Sequence, residues 1–187
     1  MNQREVIIAL GGNLGGAPAV MARFAAAAAS IRAQLGGGLR SSRVYCTAPV
    51  GPVLDQPSFL NAVIACAPAV EVTATALMAM LLDIEAEHGR VRIDPAVPGP
   101  RTLDLDLLFV GDQVLATAGP PPVILPHPRL AQRAFVLQPL ADLQGLAWRM
   151  PGIGRSVGEC LAEPDVARQC AEVTRYAAAI ASAPRAT

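Results

Sequence analysis

Apolar positions change their period several times along the chain, and each change marks an element. Residues 6–10 (VIIAL) are a short apolar run that reads as a first strand. It enters Gly11-Gly12-Asn13-Leu14-Gly15-Gly16, where glycines let backbone come close to a ligand or another strand. Pro18 then opens an alanine-rich helix to about residue 35, with Met21, Phe24, Ala28 and Ile31 at helical spacing and three glycines to stop it. Residues 39–47 and 59–67 read as strands on either side of a proline-rich loop, APVGPVLDQPS. Residues 73–88 form a helix with Leu77, Met80, Leu81 and Ile84 as its apolar stripe, closed by Gly89. Asp83, Glu85 and Glu87 read mostly as its solvated face, with Glu85 close in sequence to the arginines that follow. Leu103, Leu105 and Leu107 then alternate with Asp104 and Asp106, the period of a strand.

Beyond that strand the pattern weakens. Gly111-Asp112 resembles a hairpin turn into residues 114–116, followed by a rigid linker over 118–122. A short helical turn is expected near residues 130–133, and helices over 157–162 and 166–181. The order β-α-β-β-α-β predicts an α+β protein of ferredoxin-like plan, an antiparallel sheet with helices on one face and extra C-terminal elements. The expected organisation is one domain over residues 1–146, with a helical extension over 147–187 packed on it.

The chemistry concentrates in residues 89–109, GRVRIDPAVPGPRTLDLDLLF. On a strand, side chains at i and i+2 share a face, about 7 Å apart. Asp104 and Asp106 therefore stand side by side, and two carboxylates so close repel unless a positive partner intervenes. Mg²⁺ takes one or two carboxylates together with substrate phosphates. Arg90, Arg92 and Arg101 supply the planar forks that grip phosphate oxygens. The segment reads as a site for Mg²⁺ and a nucleoside triphosphate; a bare D-x-D can equally be a solvated strand face.

Composition narrows the mechanism. All 15 basic residues are arginine, so a Walker A lysine, a protein-kinase ATP lysine and Schiff-base chemistry are excluded in their usual forms. The net charge of 0 and the lack of a large basic patch argue against nucleic acid as a partner. Hydrophobic residues make up 52% of the chain, but alanine inflates the figure. No apolar run reaches the ~18 residues of a membrane span. The run at residues 6–10 is short for a signal peptide, adjoins Glu5 and is broken by Gly-Gly-Asn. Cys46, Cys66, Cys160 and Cys170 show no C-x-x-C pairing and lie far from His88 and His127, so free thiols are expected and a cytoplasmic location with them.

Four segments, in order, carry a resemblance: IALGGNLG (residues 8–15), YCTAPVGPVLDQPSFLNAV (45–63), GPRTLDLDLL (99–108) and LPHPRLAQRAFVLQPL (125–140). Together the chain resembles the 6-hydroxymethyl-7,8-dihydropterin pyrophosphokinases of folate biosynthesis, over most of its length. The resemblance implies transfer of the β,γ-pyrophosphate of ATP to the pterin hydroxymethyl group, with release of AMP and the help of two Mg²⁺ ions. It implies that Asp104 and Asp106 bind metal, that Arg90 and Arg101 act on a mobile catalytic loop, and that Glu85, Arg92, His127 and Arg133 serve ATP. Thr47, Val50, Phe59, Asn61 and Phe135 match the pterin pocket. A flat heteroaromatic ring suits two aromatic faces with Asn and Thr at its edge, although either Phe alone reads as ordinary core.

Gly12 stands where the family usually has Ser, and Val97-Pro98 replace its basic-Trp pair. Two rival readings remain: a nucleotidyltransferase that uses the same D-x-D and releases pyrophosphate, and a non-catalytic pterin- or nucleotide-binding homologue. Oligomeric state is not legible.

Overall fold

The computed structural model describes residues 5–49, 55–91 and 99–180; Val50 and Arg92 lie outside them. Along the chain run β1 (Val6–Gly12), α1 (Gly16–Leu35), β2 (Leu39–Ser41), β3 (Arg43–Thr47), β4 (Phe59–Cys66), α2 (Ala74–Glu87) and β5 (Asp104–Val110). There follow β6 (Leu115–Thr117), β7 (Val123–Leu125), a 3₁₀ turn at Leu130–Gln132, α3 (Ala134–Gln144), α4 (Val157–Leu161), α5 (Pro164–Cys170) and β8 (Val173–Ala179). The main sheet has the order β5-β1-β4-β3-β8, with β2 also paired to β4, and every pairing is antiparallel.

Helices cover both faces of this sheet, a correction to the one-sided layer expected. The cause lies in β1, whose uninterrupted apolar run fills a core on each side. Val6, Ile8 and Leu10 join Phe24 and Ile31 of α1 and Leu77, Leu81 and Ile84 of α2. Ile7 and Ala9 join Leu137 and Leu140 of α3, Val157 and Cys160 of α4 and Val166 of α5. Burying side chains such as Phe24 and Ile31, both at 0% exposure, contributes about 1.5–3 kcal/mol each.

Local sequence explains where two of these helices begin. Thr73 caps α2 by accepting from the Ala76 N–H, and Ser156 and Glu159 form a reciprocal capping box on α4.

Two further expectations are corrected. The turn at Gly111 does not return the chain along β5. Instead β6 pairs with β7 in a separate two-stranded sheet, whose turn is formed by the residues expected to be a linker. Alternation decides it: Val123 and Leu125 are buried in the main core while Ile124 between them is exposed. The helix expected over residues 166–181 stops at Cys170, and β8 pairs antiparallel with β3. Its alanines suggest helix, but Val173, Thr174 and Tyr176 suit a strand and β3 offers an open hydrogen-bonding edge.

Strand β5 carries the placement that matters most. Leu103, Leu105 and Leu107 point into the core with α1 and α2, so Asp104 and Asp106 face the opposite side. The register against β1 shifts between Ile7 and Ile8, which leaves Leu108 as an extra residue. The bulge turns Phe109 onto the α3 face, where it meets Trp148 edge-on with ring centroids 5.2 Å apart.

Candidate active site

Among the described residues, helices cover the α3 side of the sheet at one end only. Toward the other end β1 presents small residues: Gly11 lies between Asn61 of β4 and Asp104 of β5, and Ala9 lies between Val63 and Asp106. A Cβ on Gly11 would already touch the Asn61 Oδ1 at 3.5 Å and the Asp104 Cβ at 3.7 Å. A larger side chain there would fill the space. The result is a cavity of about 380 Å³ floored by β1. Thr47, Phe59, Asn61, Arg101, Asp104, Asp106, Arg133 and Phe135 all line it, gathered from the segments that the sequence singled out.

Asp104 stands between two arginines. Arg90 Nη1 and Arg101 Nη1 each donate to one of its carboxylate oxygens. Behind them Glu85 is 1% exposed. Its carboxylate accepts the Leu105 N–H at 2.7 Å and Arg90 Nη1 at 2.8 Å. Glu85 is therefore not on a solvated face, and neither it nor Arg90 lines the cavity. The pair sits beneath Asp104, and Arg90 also donates to the Leu103 carbonyl at 3.2 Å. Asp106 has a looser partner, Arg133 Nη1 at 3.8 Å.

The described residues hold no cluster of three or more His, Cys, Asp or Glu side chains fit to cage a metal. Two carboxylates opening on a cavity rimmed by arginines fit a different case, Mg²⁺ that keeps water and phosphate among its ligands.

On the opposite wall Asn61 Nδ2 donates to Thr47 Oγ1 at 2.9 Å, and both residues are buried. This bond orients the amide at the cavity edge. Phe59 and Phe135 are half-buried, each with a guanidinium 5.5 Å from its ring centre: Arg101 over Phe59 and Arg133 over Phe135. The two expected aromatic residues thus meet the two arginines within one site.

His127 is half-buried and held by its own backbone, whose N–H donates to the Leu108 carbonyl at 3.1 Å. Its Nδ1 accepts the Arg129 N–H at 3.3 Å. Burial pushes its pKa down, opposed by the Asp106 charge and reinforced by Arg133 and Arg129. The imidazole is therefore neutral near pH 7, consistent with an accepting Nδ1. Burial also lowers Arg133, with Asp106 acting the other way.

Several residues of the site were not singled out by the sequence. Asn13 ties three loops together: its Oδ1 accepts the Arg101 N–H at 2.8 Å, and its Nδ2 donates to Gln56 Oε1 at 3.1 Å and the Pro57 carbonyl at 2.9 Å. The close approach read from the glycine turn was its signal. A Cβ on Gly12 would stand 2.8 Å from the Thr102 carbonyl, so this glycine admits the chain just before β5. Arg129, Gln132 and Gln169 also line the cavity. Arg129 and Gln132 stand in the same LPHPRLAQR segment as His127 and Arg133, whereas Gln169 comes from the tail, where no motif announces it.

The model of the 7,8-dihydro-6-hydroxymethylpterin-pyrophosphokinase (HPPK) family matches residues 7–145. A 2-amino-4-hydroxy-6-hydroxymethyldihydropteridine pyrophosphokinase of Synechocystis is 34% identical over 160 residues, covering 85% of this chain and 75% of that protein. One of Pseudomonas aeruginosa is 44% identical over 121 residues, 65% of this chain and 68% of that protein. A mitochondrial folate synthesis bifunctional protein of Arabidopsis thaliana is 41% identical, and the match spans 78% of this chain but only 24% of the plant protein. Among solved structures, a Plasmodium falciparum HPPK-DHPS superimposes with a TM-score of 0.66 at 10% identity, over 92% of this chain and 46% of that one, a likeness of fold. No helix among the described residues is long and apolar enough to cross a membrane.

Proposed function

The chain belongs to the 7,8-dihydro-6-hydroxymethylpterin-pyrophosphokinase family, and on that premise we propose that it transfers the β,γ-pyrophosphate of ATP to the hydroxymethyl group of 6-hydroxymethyl-7,8-dihydropterin and releases AMP. The observation that carries the proposal is the convergence, in one cavity, of the acid-arginine cluster with the Thr47–Asn61 pair and the two phenylalanines. Groups suited to phosphate chemistry and groups suited to a flat heterocycle thus share one cavity.

The substrate hydroxyl attacks the β-phosphorus as the bond to the α-phosphate oxygen breaks, and AMP leaves with the electron pair. This step needs alignment and charge neutralisation rather than a covalent enzyme intermediate. Asp104 and Asp106 would hold two Mg²⁺ ions, which would supply charge neutralisation for the triphosphate and polarisation for the attacking hydroxyl. Arg101, which lines the cavity, exchanges Asp104 for phosphate oxygens as charge builds on them in the transition state, and Arg90 joins it by leaving its place behind Asp104. Arg133 and a neutral His127 face the nucleotide, with Arg92 joining from residues outside those described. Asn61 and Thr47 read the edge of the pterin and Phe59 and Phe135 pack against its ring, a role the motif extends to Val50, outside the described residues.

The test is a discontinuous assay with ATP, Mg²⁺ and the reduced hydroxymethylpterin. The expected products are AMP and the pterin pyrophosphate. Release of inorganic pyrophosphate identifies a nucleotidyltransferase, and absence of turnover with pure reduced pterin identifies a binding protein; either refutes the proposal. Asp104→Ala and Asp106→Ala should each lower kcat by at least ~10²-fold with circular dichroism unchanged, since each removes a metal ligand from a partly open face.

A further inference from the structure

Arg133 occupies the joint between the 3₁₀ turn and α3. Its backbone is extended there, with φ −123° and ψ 105°. The direction of its side chain therefore depends on how the peptide groups on either side are held. As the N-cap of α3 it offers no side-chain bond to the first turn. The leading N–H groups of a helix have no partner within the helix and must find one elsewhere.

The partner comes from the tail. Gln169, on the last turn of α5, accepts the Ala134 N–H through Oε1 at 3.2 Å. Its Nε2 donates to the Gln132 carbonyl at 3.0 Å. These two groups flank Arg133 in sequence, so one carboxamide grips the backbone on both sides of the arginine. Such a clamp needs a side chain that donates and accepts at once, which an amide does and a carboxylate or alkyl group does not. Gln169 also forms part of the cavity wall beside Arg133, Gln132 and Phe135. It lies beyond residue 145, where the family match ends.

We infer that Gln169 is a positioning residue: the C-terminal tail uses it to hold Arg133 over Phe135 and toward Asp106, in the orientation that receives the anionic phosphates of the nucleotide. The inference rests on the nucleotide-binding role proposed above for Arg133. Gln169 acts through that arginine and makes no chemical step of its own.

The test is a double-mutant cycle read by calorimetric titration with Mg²⁺ and α,β-methylene-ATP, whose α–β bridge resists cleavage. Gln169→Met keeps length and bulk while removing both hydrogen bonds. It should weaken the nucleotide about three- to tenfold, the effect of one or two modest hydrogen bonds. In an Arg133→Ala background the same change should add less than about twofold, because the residue it positions is gone. Unchanged affinity in the single variant, or an equal loss in both backgrounds, overturns the inference. A second measurement needs no nucleotide: the ¹⁵N relaxation of the Arg133 Nε–H should report a more mobile side chain in Gln169→Met and in Gln169→Ala, and unaltered order overturns the inference. Failure of the wild type to bind the analogue refutes the proposed function instead, while the relaxation measurement still decides whether Gln169 holds Arg133.

Discussion

Replacing Glu85 tests whether this acid serves as a prop or as a nucleotide contact. The side chains of Glu85 and Arg90 are 2% and 12% exposed, and their 2.8 Å contact is shielded from water. Glu85→Ala removes the partner of a buried cation and leaves the Leu105 N–H without the acceptor it has at 2.7 Å. Breaking a buried pair from one side costs about 3–5 kcal/mol. Arg90 keeps Asp104 and the Leu103 carbonyl, which favours the lower end. For a domain of this size each kcal/mol moves Tm by about 2–4 °C. The expected fall is therefore about 10 °C by differential scanning calorimetry. Glu85→Gln keeps an acceptor for Leu105 and should lose only about 1–2 kcal/mol. In either variant, below its transition, affinity for Mg²⁺–α,β-methylene-ATP should change by less than about threefold, because Glu85 does not line the cavity. A Tm within about 3 °C of wild type, together with a tenfold loss of nucleotide affinity, would refute the reasoning and make Glu85 a nucleotide contact.

The remaining expectations are briefer. Arg101→Ala should lower kcat by ~10²-fold or more while leaving nucleotide affinity within about threefold, since a contact made chiefly in the transition state appears in kcat; rapid-quench kinetics showing only lost affinity would make Arg101 a ground-state phosphate binder. The Tyr45 phenol is raised above its ordinary value by burial and by Asp142, whose Oδ2 accepts its hydroxyl at 2.9 Å. The unfolded phenol ionises first, so the stabilisation is complete below about pH 10 and is lost as pH rises through the folded value. Urea unfolding between pH 8 and 11 should show that decline in the wild type and a shallower one in Tyr45→Phe, and parallel declines would contradict it. Burial pushes the Cys66 and Cys160 thiols up, whereas Cys46 and Cys170 are half-exposed. A thiol-disulfide reagent should modify two cysteines rapidly in the native protein and all four after denaturation; rapid modification of four native thiols would place the buried pair wrongly.

Much of the site was legible because its chemistry is encoded locally. The alternation of leucine and aspartate in β5 placed Asp104 and Asp106 on one face without reference to any other strand. The alanine helix, the α2 stripe and the arginine-rich approach to β5 followed from period and punctuation in the same way. Glu85 shows how such a reading fails. It lies four residues after Leu81 and eight after Leu77, on the buried side of α2, yet its charge suggested solvent. Only the arrival of Arg90 and the Leu105 N–H makes a buried carboxylate tolerable there.

What the amino-acid sequence determined by itself was therefore the set of elements with a strong internal period, the acids and arginines of the site, and through ordered motifs the family. Tertiary structure decided what depends on partners distant in the chain. Helices cover both faces of the sheet because β1 is apolar on each side, a fact its short run states without saying what will pack there. The tail forms β8 because β3 has an unpaired edge, and a free edge outweighs the helical preference of a few alanines. β6 finds β7 instead of β5 because Val123 and Leu125 belong to the main core. Gln169 reaches the cavity because α5 packs against α3, bringing a side chain to groups 35 and 37 residues away. Local periodicity reports which face a residue occupies; hydrogen-bond partners and buried neighbours across the chain exist only once the layers have closed on one another.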